Sequence, residues 1–498
     1  MNQKRILINA AMSVTQIAVV SVTLFILYKF LLSAVGTESL GIWSLILATT
    51  SVTQIANLGL SGSVVKFVAK YVARKEDKKA SEVIQTAAIT LAIGFGIVLL
   101  IGYPLIKWVL SLAVPADSVG IALPILPFAL FSLWLSIITG VFQSGIDGFQ
   151  KIYIRNILMM GASLLFTILC FLFAPKYGLI GLAYAQIINN SIIFLLSWIL
   201  IKQFIPILPI IPYQWDRMMF KEIMSYGINF QIASVATMFY DPVTKALLSK
   251  FGGLSAVGYY EMANKMVQQI RAFIVSANQV LVPSIAELNE NSPEQIKSVY
   301  LTSYKLLFFL SLPLFTLLIV FIPIVSKLWI GNYEQTFILY AYPLAIGYLL
   351  NIFTGPAYFT NLGTGVLRYN VIGHLVIGFL NAILGFLLGL FYGGSGVVIG
   401  WAISLSIGSS IIYIAFHITE GIALSELFPP ENKNLFLSSF LFFAVSFVLQ
   451  HRFLSTIDTV PSTGILAVLF VMINIVPLWS HPMRKRLKVW VLRELFNR

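Results

Sequence analysis

GTESLGIW (36–43) is answered 217 residues later by GLSAVGYY (253–260), a shift that carries Gly36, Gly41 and Trp43 onto Gly253, Gly258 and Tyr260. The same shift carries FQSGIDGFQK (142–151) onto FTNLGTGVLR (359–368), matching Phe142, Gly148 and Lys151 with Phe359, Gly365 and Arg368. A third, looser match sets GLAYA at Gly181 against GWAIS at Gly400, a shift of 219. Short glycine-rich loops between helices can look alike by chance. Three matches in the same order, each near the end of an apolar run, argue instead for a duplicated unit.

The runs between those loops say what the unit is made of. Apolar stretches fall near 6–32, 40–65, 81–106, 119–145, 154–174, 178–201, 223–249, 256–282, 300–326, 335–361, 369–391, 395–418, 435–450 and 460–479. About 20 residues of helix span a hydrocarbon core. Only the stretch at 435–450 is short for that task. The runs are continuous rather than alternating, which predicts helices and not the strands of a barrel. The expected fold is therefore an all-α integral membrane protein with about fourteen transmembrane helices. PILPIIP (206–212) interrupts the series near its middle, because proline lacks the N–H that a helix interior needs. The expected layout is a first six-helix lobe over 1–205, a cytoplasmic linker over 206–222, a second lobe over 223–418, and two further helices with a basic tail over 419–498. Six is an even number, so the two copies cross the membrane in the same sense. Such parallel repeats enclose a central substrate cavity that opens to alternate sides.

Composition agrees. The chain is 58% hydrophobic and 10% charged, where a soluble protein carries about 25% charged residues, and its mean hydropathy is +0.90. One cysteine, Cys170, can form no internal disulfide and leaves the redox compartment unread. The first apolar stretch is long for a cleavable leader and shows no clear cleavage site, so it reads as a span. The net charge of +13 is placed rather than spread. With fourteen spans, one side collects most of the Lys and Arg, from Lys70, Arg74, Lys75, Lys78 and Lys79 to Arg484, Lys485, Arg486 and Lys488; the other side has only Lys107, Lys176, Lys250, Lys327 and Arg452. This bias puts both termini in the cytoplasm. It also removes the case for nucleic acid, since no soluble basic domain is left to bind it. The basic tail suits anionic membrane lipids.

Polar residues inside the spans are the candidates for function, because charge at bilayer depth is costly and normally faces protein or water. In MFYDPVTKALLSKF (238–251), Asp241 and Lys245 share a helix face. Pro242 should break the helix, with Asp241 capping a restarted half-helix. Lys245 either joins a cavity with Asp241, neutralises it, or reaches with Lys250 for the outer interface. The next span repeats the pattern with Glu261 and Lys265, continues the face with Gln268, and sets Arg271 to one side. That segment reads as lining water, or else as an ion pair packed between helices. Lys66 adds a cation to span 2, beside Gln54 and Asn57, while Lys29 in span 1 suits the outer interface. Asn370, His374 and Asn381 follow helical spacing, and His374 is either a proton-linked switch or a hydrogen-bonded interior histidine. Gln186, Asn189 and Asn190 suit helix–helix contacts. The interior surplus is cationic, and cations in such a cavity suit phosphate or another anion. Asp241, Glu261 and His374 are the candidates for coupling to an ion or proton. No Walker A, GxGxxG or HExxH pattern occurs, so neither a cofactor nor a resident metal is expected. A glycosyltransferase or polymerase would need an acidic metal motif or a large outer loop, and neither is visible; the expectation is a transporter and not an enzyme.

DPVTKALLSKFGGLSAVGYYEMANK (241–265), LGLSGSVVKFVAKYVARKED (58–77) and FKEIMSYGINF (220–230) resemble segments of the Wzx-like O-antigen and exopolysaccharide flippases, in the multidrug/oligosaccharidyl-lipid/polysaccharide superfamily. The resemblance covers nearly the whole chain. It implies a V-shaped, two-lobed transporter in the bacterial inner membrane. It also implies a substrate, undecaprenyl-pyrophosphate-linked oligosaccharide moved to the outer leaflet, H+ or Na+ as coupling ion, and a polysaccharide polymerase and chain-length proteins as partners. Where that family often has a basic residue after the Asp, this chain has Pro242, so Lys245 is the candidate to take that role. A multidrug or cation antiporter and a lipid II flippase share the architecture and are the competing readings. The cationic surplus and the extra helix pair weigh against the first.

Overall fold

The computed structural model describes residues 3–51, 60–279, 281–452 and 459–486; Gln54, Asn57 and the basic tail beyond Arg486 lie outside them. Every long element is an α-helix: α1 (Gln3–Ser51), α2 (Leu60–Ala73), α3 (Asp77–Ile89), α4 (Gly96–Ala113), α5 (Val119–Gly148), α6 (Ile152–Phe204), α7 (Arg217–Met238), α8 (Tyr240–Gln279), α9 (Leu281–Asn291), α10 (Ile296–Trp329), α11 (Gln335–Phe353), α12 (Gly355–Thr364), α13 (Arg368–Glu420), α14 (Leu424–Leu427), α15 (Pro430–Arg452) and α16 (Thr459–Ser480). Nine helical stretches among the described residues are long and apolar enough to cross a membrane. Their outer surfaces are apolar as well: Leu100, Ile101 and Leu105 of α4 and Phe391 of α13 are exposed. Such extensive exposed apolar surface suits contact with lipid rather than water.

Four of these helices are too long for one crossing, and each carries a glycine in a backbone state closed to other residues. A helix rises about 1.5 Å per residue, so the 53 residues of α6 or α13 exceed twice the thickness of a hydrocarbon core. The breaks come in matched pairs. Gly36 of α1 (φ 80°, ψ 170°) and Gly253 of α8 (φ 81°, ψ 176°) share one conformation. Gly178 of α6 (φ 56°, ψ −133°) and Gly393 of α13 (φ 60°, ψ −145°) share another. The positive φ is open to glycine because it has no β-carbon.

At Gly178 and Gly393 the helix doubles back. Gly181 sits against the carbonyl of Phe173, and Gly396 against that of Leu388, contacts that no continuous helix could make. In α13 the returning arm stays close along its length, with Gly400 beside Gly385 and Gly408 beside Gly373. Small residues let the two backbones approach in this way. These pairs also correct the third sequence match. The structural counterpart of Gly181 is Gly396, at a shift of 215, not Gly400.

The shift of 217 recurs in packing. Gly148 of α5 abuts Val68 and the Val65 carbonyl of α2, while Gly363 of α12 abuts Ile285 and the Val282 carbonyl of α9. Val282 and Ile285 stand 217 residues after Val65 and Val68, but Gly363 stands 215 after Gly148, so the packing counterpart of Gly148 is Gly363 and not the Gly365 of the second sequence match.

The chain divides into two compact units, Met1–Gly258 and Tyr259–Arg498. In the first, the linker between α6 and α7 is strapped to α3. Gln85 Oε1 accepts from the amides of Tyr213 and Gln214 at 3.2 Å, Thr86 Oγ1 accepts from the Asp216 amide at 3.2 Å, and Trp215 Nε1 donates to Thr90 Oγ1 at 3.1 Å. Asp216 then caps α7 by accepting from the Met219 amide. Thr90 opens a six-residue π-helical turn, Thr90–Phe95, between α3 and α4. Such a turn disturbs the i→i−4 ladder, and here the Ala92 carbonyl accepts from Trp134 Nε1 of α5 at 2.9 Å. In the second unit, Tyr300, Tyr304, Phe308 and Leu312 follow an i, i+4 stripe along α10 and pack with Ala357, Phe416, Leu427 and Leu435. α15 covers 23 residues, longer than the stretch at 435–450 suggested.

Candidate functional site

The break near Asp241 falls slightly earlier than the sequence suggested. α7 ends at Met238, Phe239 forms a turn, and α8 starts at Tyr240. Asp241 therefore does not cap the restarted helix; it lies within the first turn. Pro242 follows in that same turn, where helix N–H groups lack intrahelical partners and the missing donor matters little. Lys245 does not reach outward. It is buried, and its Nζ lies 2.5 Å from Asp241 Oδ2, whose side chain is 43% exposed. Glu261 is likewise buried and takes Lys265 at 3.5 Å, with the lysine at the accessible end of the pair. Lys66 is exposed on α2 beside the Phe67 ring, and Lys29 is exposed on α1.

Gln268 and Arg271 enter a network in the second unit that the sequence did not reveal. Gln268 Nε2 donates to Asn264 Oδ1 and to the Tyr348 hydroxyl, each at 3.1 Å, and that hydroxyl donates to Asn264 Oδ1 at 3.1 Å. The ring of three bonds pins Tyr348 of α11 to α8. Arg271 lies with its guanidinium 5.7 Å from the Tyr348 ring centroid, a cation–π arrangement. Its Nε donates to Asn351 Oδ1 at 3.1 Å, and Asn351 Nδ2 donates to Ser409 Oγ of α13 at 2.8 Å. This second bond fixes which way the Asn351 amide faces. Both Asn351 and Tyr348 are thus held before they meet Arg271.

Held by Nε alone, Arg271 keeps its two terminal amines clear of protein acceptors: among the described residues none bonds to them and no carboxylate lies within ion-pair distance. His374 is half-buried and meets the Tyr358 ring edge-on at 5.7 Å. Asn370 and Asn381 are fully buried, and Asn370 bonds Asn361 and the Tyr358 carbonyl. In the first unit, Asn190 bonds Ser132 across α5 and α6. Sequence reading also passed over Arg155, which pairs with Asp147 at 2.8 Å; an acid at the very end of a span was the available signal.

The fold is that of the multidrug/oligosaccharidyl-lipid/polysaccharide (MOP) superfamily transporters. A multidrug-resistance MATE transporter in its inward-facing conformation superposes with a TM-score of 0.69 at 17% identity, covering 80% of this chain and 94% of that one. The lipid II flippase MurJ, inward closed, gives 0.67 at 14%, covering 92% and 97%. A MOP-superfamily transporter from Pyrococcus furiosus, described as having a binding pocket of reverse polarity, gives 0.62 at 16%, covering 84% and 95%. Within that fold, the polysaccharide biosynthesis protein family model matches residues 34–333, and the chain belongs to this family. No curated protein matches it.

Proposed function

We propose that the chain is a flippase that carries undecaprenyl-pyrophosphate-linked oligosaccharide from the cytoplasmic to the outer leaflet of the bacterial inner membrane. Two six-helix lobes alternate in exposing the site, each of the four broken helices crosses more than one level of the fold to restore fourteen crossings, and both termini face the cytoplasm. The observation that carries the reading is Arg271. The pairs Asp241–Lys245 and Glu261–Lys265 are each close to neutral, so they add little net charge. Among the described residues, Arg271 is left as a cation whose two terminal amines meet no protein acceptor and no acid. A guanidinium at membrane depth needs a partner, and its planar fork matches phosphate with two parallel bonds. A pyrophosphate on a lipid carrier supplies such a group. H+ or Na+ completes the cycle as coupling ion, with Asp241, Glu261 and His374 as the sites to test.

The test is complementation of a strain lacking the gene. Lipid-linked precursor should build up in the inner leaflet with Arg271→Ala and partly with Arg271→Lys, which keeps the charge and loses the fork. Wild-type export by both variants would end the reading. The likeness to the lipid II flippase fold, which covers 92% of this chain, favours that activity as the second reading. Peptide-bearing and repeat-unit precursors, offered separately to purified protein in vesicles, tell the two apart.

A further inference from the structure

The linker between α6 and α7 has more apolar surface than a cytoplasmic loop should. Ile207, Ile210, Ile211, Tyr213 and Met218 are all exposed, Ile211 at 74%. The loop is nevertheless not slack, since the four bonds from Gln85, Thr86 and Thr90 hold residues 213–216 in place. A rigid loop displaying isoleucines to water would be an aggregation liability. Something apolar covers it.

The anchoring residues give its depth. The last charged residue of α3 is Glu82, and the first strongly exposed apolar side chain after it is Ile93, in the π-helical turn that follows, which marks the start of the lipid-facing surface. Gln85, Thr86 and Thr90 lie between those limits, at the level where water gives way to hydrocarbon. α6 reports the same level from the other side of the loop: Leu196 and Ile199 are exposed, and Lys202 follows with its ammonium over the Trp198 ring. The exposed apolar surface of α6 thus continues into Ile207. Tyr213 and Trp215, each with an apolar body and a polar end, are the residue types that settle at such a boundary. Charge points the same way. Lys202, Arg217 and Lys221 flank the loop, while Asp216 is spent on its helix cap and Glu222 is paired with Lys70.

We infer that residues 205–218 form an interfacial anchor, with Ile207, Ile210 and Ile211 set among the headgroups and upper acyl chains of the bilayer and the flanking cations on anionic lipid phosphates. The depth follows from α3 and α6 alone; that the leaflet is the cytoplasmic one rests on the orientation proposed above.

Site-directed fluorescence tests it in the full chain. Cys170 is buried, so Ile211→Cys gives one accessible thiol for an environment-sensitive probe. Lys78→Cys serves as the water-facing control and Ile199→Cys as the lipid-facing one. The protein is placed in nanodiscs of phosphatidylethanolamine and phosphatidylglycerol. The expected result at 211 is blue-shifted emission, quenched by lipids spin-labelled near the headgroup more than by aqueous iodide, with Ile210→Cys as a second position should the first misfold. Replacing phosphatidylglycerol by phosphatidylcholine should red-shift the signal. Emission and iodide quenching equal to Lys78→Cys would overturn the inference. So would a blue shift that spin-labelled lipid fails to quench, which would assign the surface to a protein partner or a second copy. In intact cells, labelling of Ile211→Cys by a membrane-impermeant thiol reagent from the outer face would leave the anchor standing and reverse the orientation instead.

Discussion

Gly41 lies against the carbonyl of Leu254, and the shift of 217 turns this contact into its mirror: Gly258 lies against the carbonyl of Thr37. The two copies of the opening motif therefore cross each other, each presenting a glycine to the other's backbone. Thr37 Oγ1 and Ser255 Oγ, 3.3 Å apart, close the crossing. A β-carbon at either glycine would meet a main-chain oxygen, which cannot rotate away. Gly41→Ala and Gly258→Ala should each destabilise the protein by about 1–3 kcal/mol or more, as overpacking does, read as a lower melting temperature in detergent. Gly62→Ala, with open space around its α-carbon, should change little.

Asn351→Asp tests whether the open face of Arg271 matters. The new carboxylate would sit where the Asn351 oxygen now accepts from Nε, neutralising the guanidinium with little change in shape. Precursor export should fall about tenfold or more, since a charge-assisted bond contributes about 1.5–3 kcal/mol, while the melting temperature holds. Full export by Asn351→Asp would count against an anion at this position.

Lys245 is the buried member of its pair and Asp241 the half-exposed one, so the two substitutions should not be equivalent. Asp241→Asn removes the carboxylate that lies 2.5 Å from a buried ammonium and should destabilise by about 1–3 kcal/mol. The double change Asp241→Asn, Lys245→Met removes both charges and should recover much of that loss. A double variant no more stable than the single one would show that the pair has another task.

His481 links the end of α16 to the start of α15. Its Nδ1 accepts from the Met483 amide at 3.3 Å, and its Nε2 faces Asn432 Oδ1 at 3.1 Å, whose amide nitrogen is committed to the Leu427 carbonyl. The ring is thus neutral with its proton on Nε2, and a second proton would confront the Met483 N–H. Burial lowers its pKa, with Glu431 pulling it up and Lys305 pushing it down. A depressed folded value means that stability is fully present above the ordinary histidine value of about 6.5 and is lost as pH falls through the folded value. Protection of α15 and α16 against hydrogen exchange, taken relative to the intrinsic rate at each pH, should fall on acidification. His481→Gln should flatten that dependence.

Much of this was legible in the chain because apolar length and glycine spacing are local signals. Gly36 and Gly253 announce themselves, since each needs a conformation that few other residues reach. The third repeat was misaligned for the converse reason. Only Gly178 and Gly181 are constrained there, so Tyr392-Gly393-x-x-Gly396, which matches Tyr177-Gly178-x-x-Gly181, looks no better in sequence than the false partner at Gly400. Asp241, Lys245, Glu261 and Lys265 could be paired by helical spacing alone. The setting of Arg271 could not: Tyr348 and Asn351 lie roughly 80 residues away on another helix, and uncharged polar residues in a span give no sign of which neighbour they face.

The hairpin of α13 carries a last consequence. Its arms approach main chain to main chain at Gly396 against Leu388, Gly400 against Gly385 and Gly408 against Gly373, with only Ile377 and Ile412 packed into the last of these contacts. Such a pair behaves as a single stiff spar. Just outside its two ends stand Gly365 and Gly421, both in the left-handed region at φ 80° and 59°. A spar bounded by glycines can swing as a whole without bending, so the joints of this part of the molecule are the two short connections and not the membrane helices themselves.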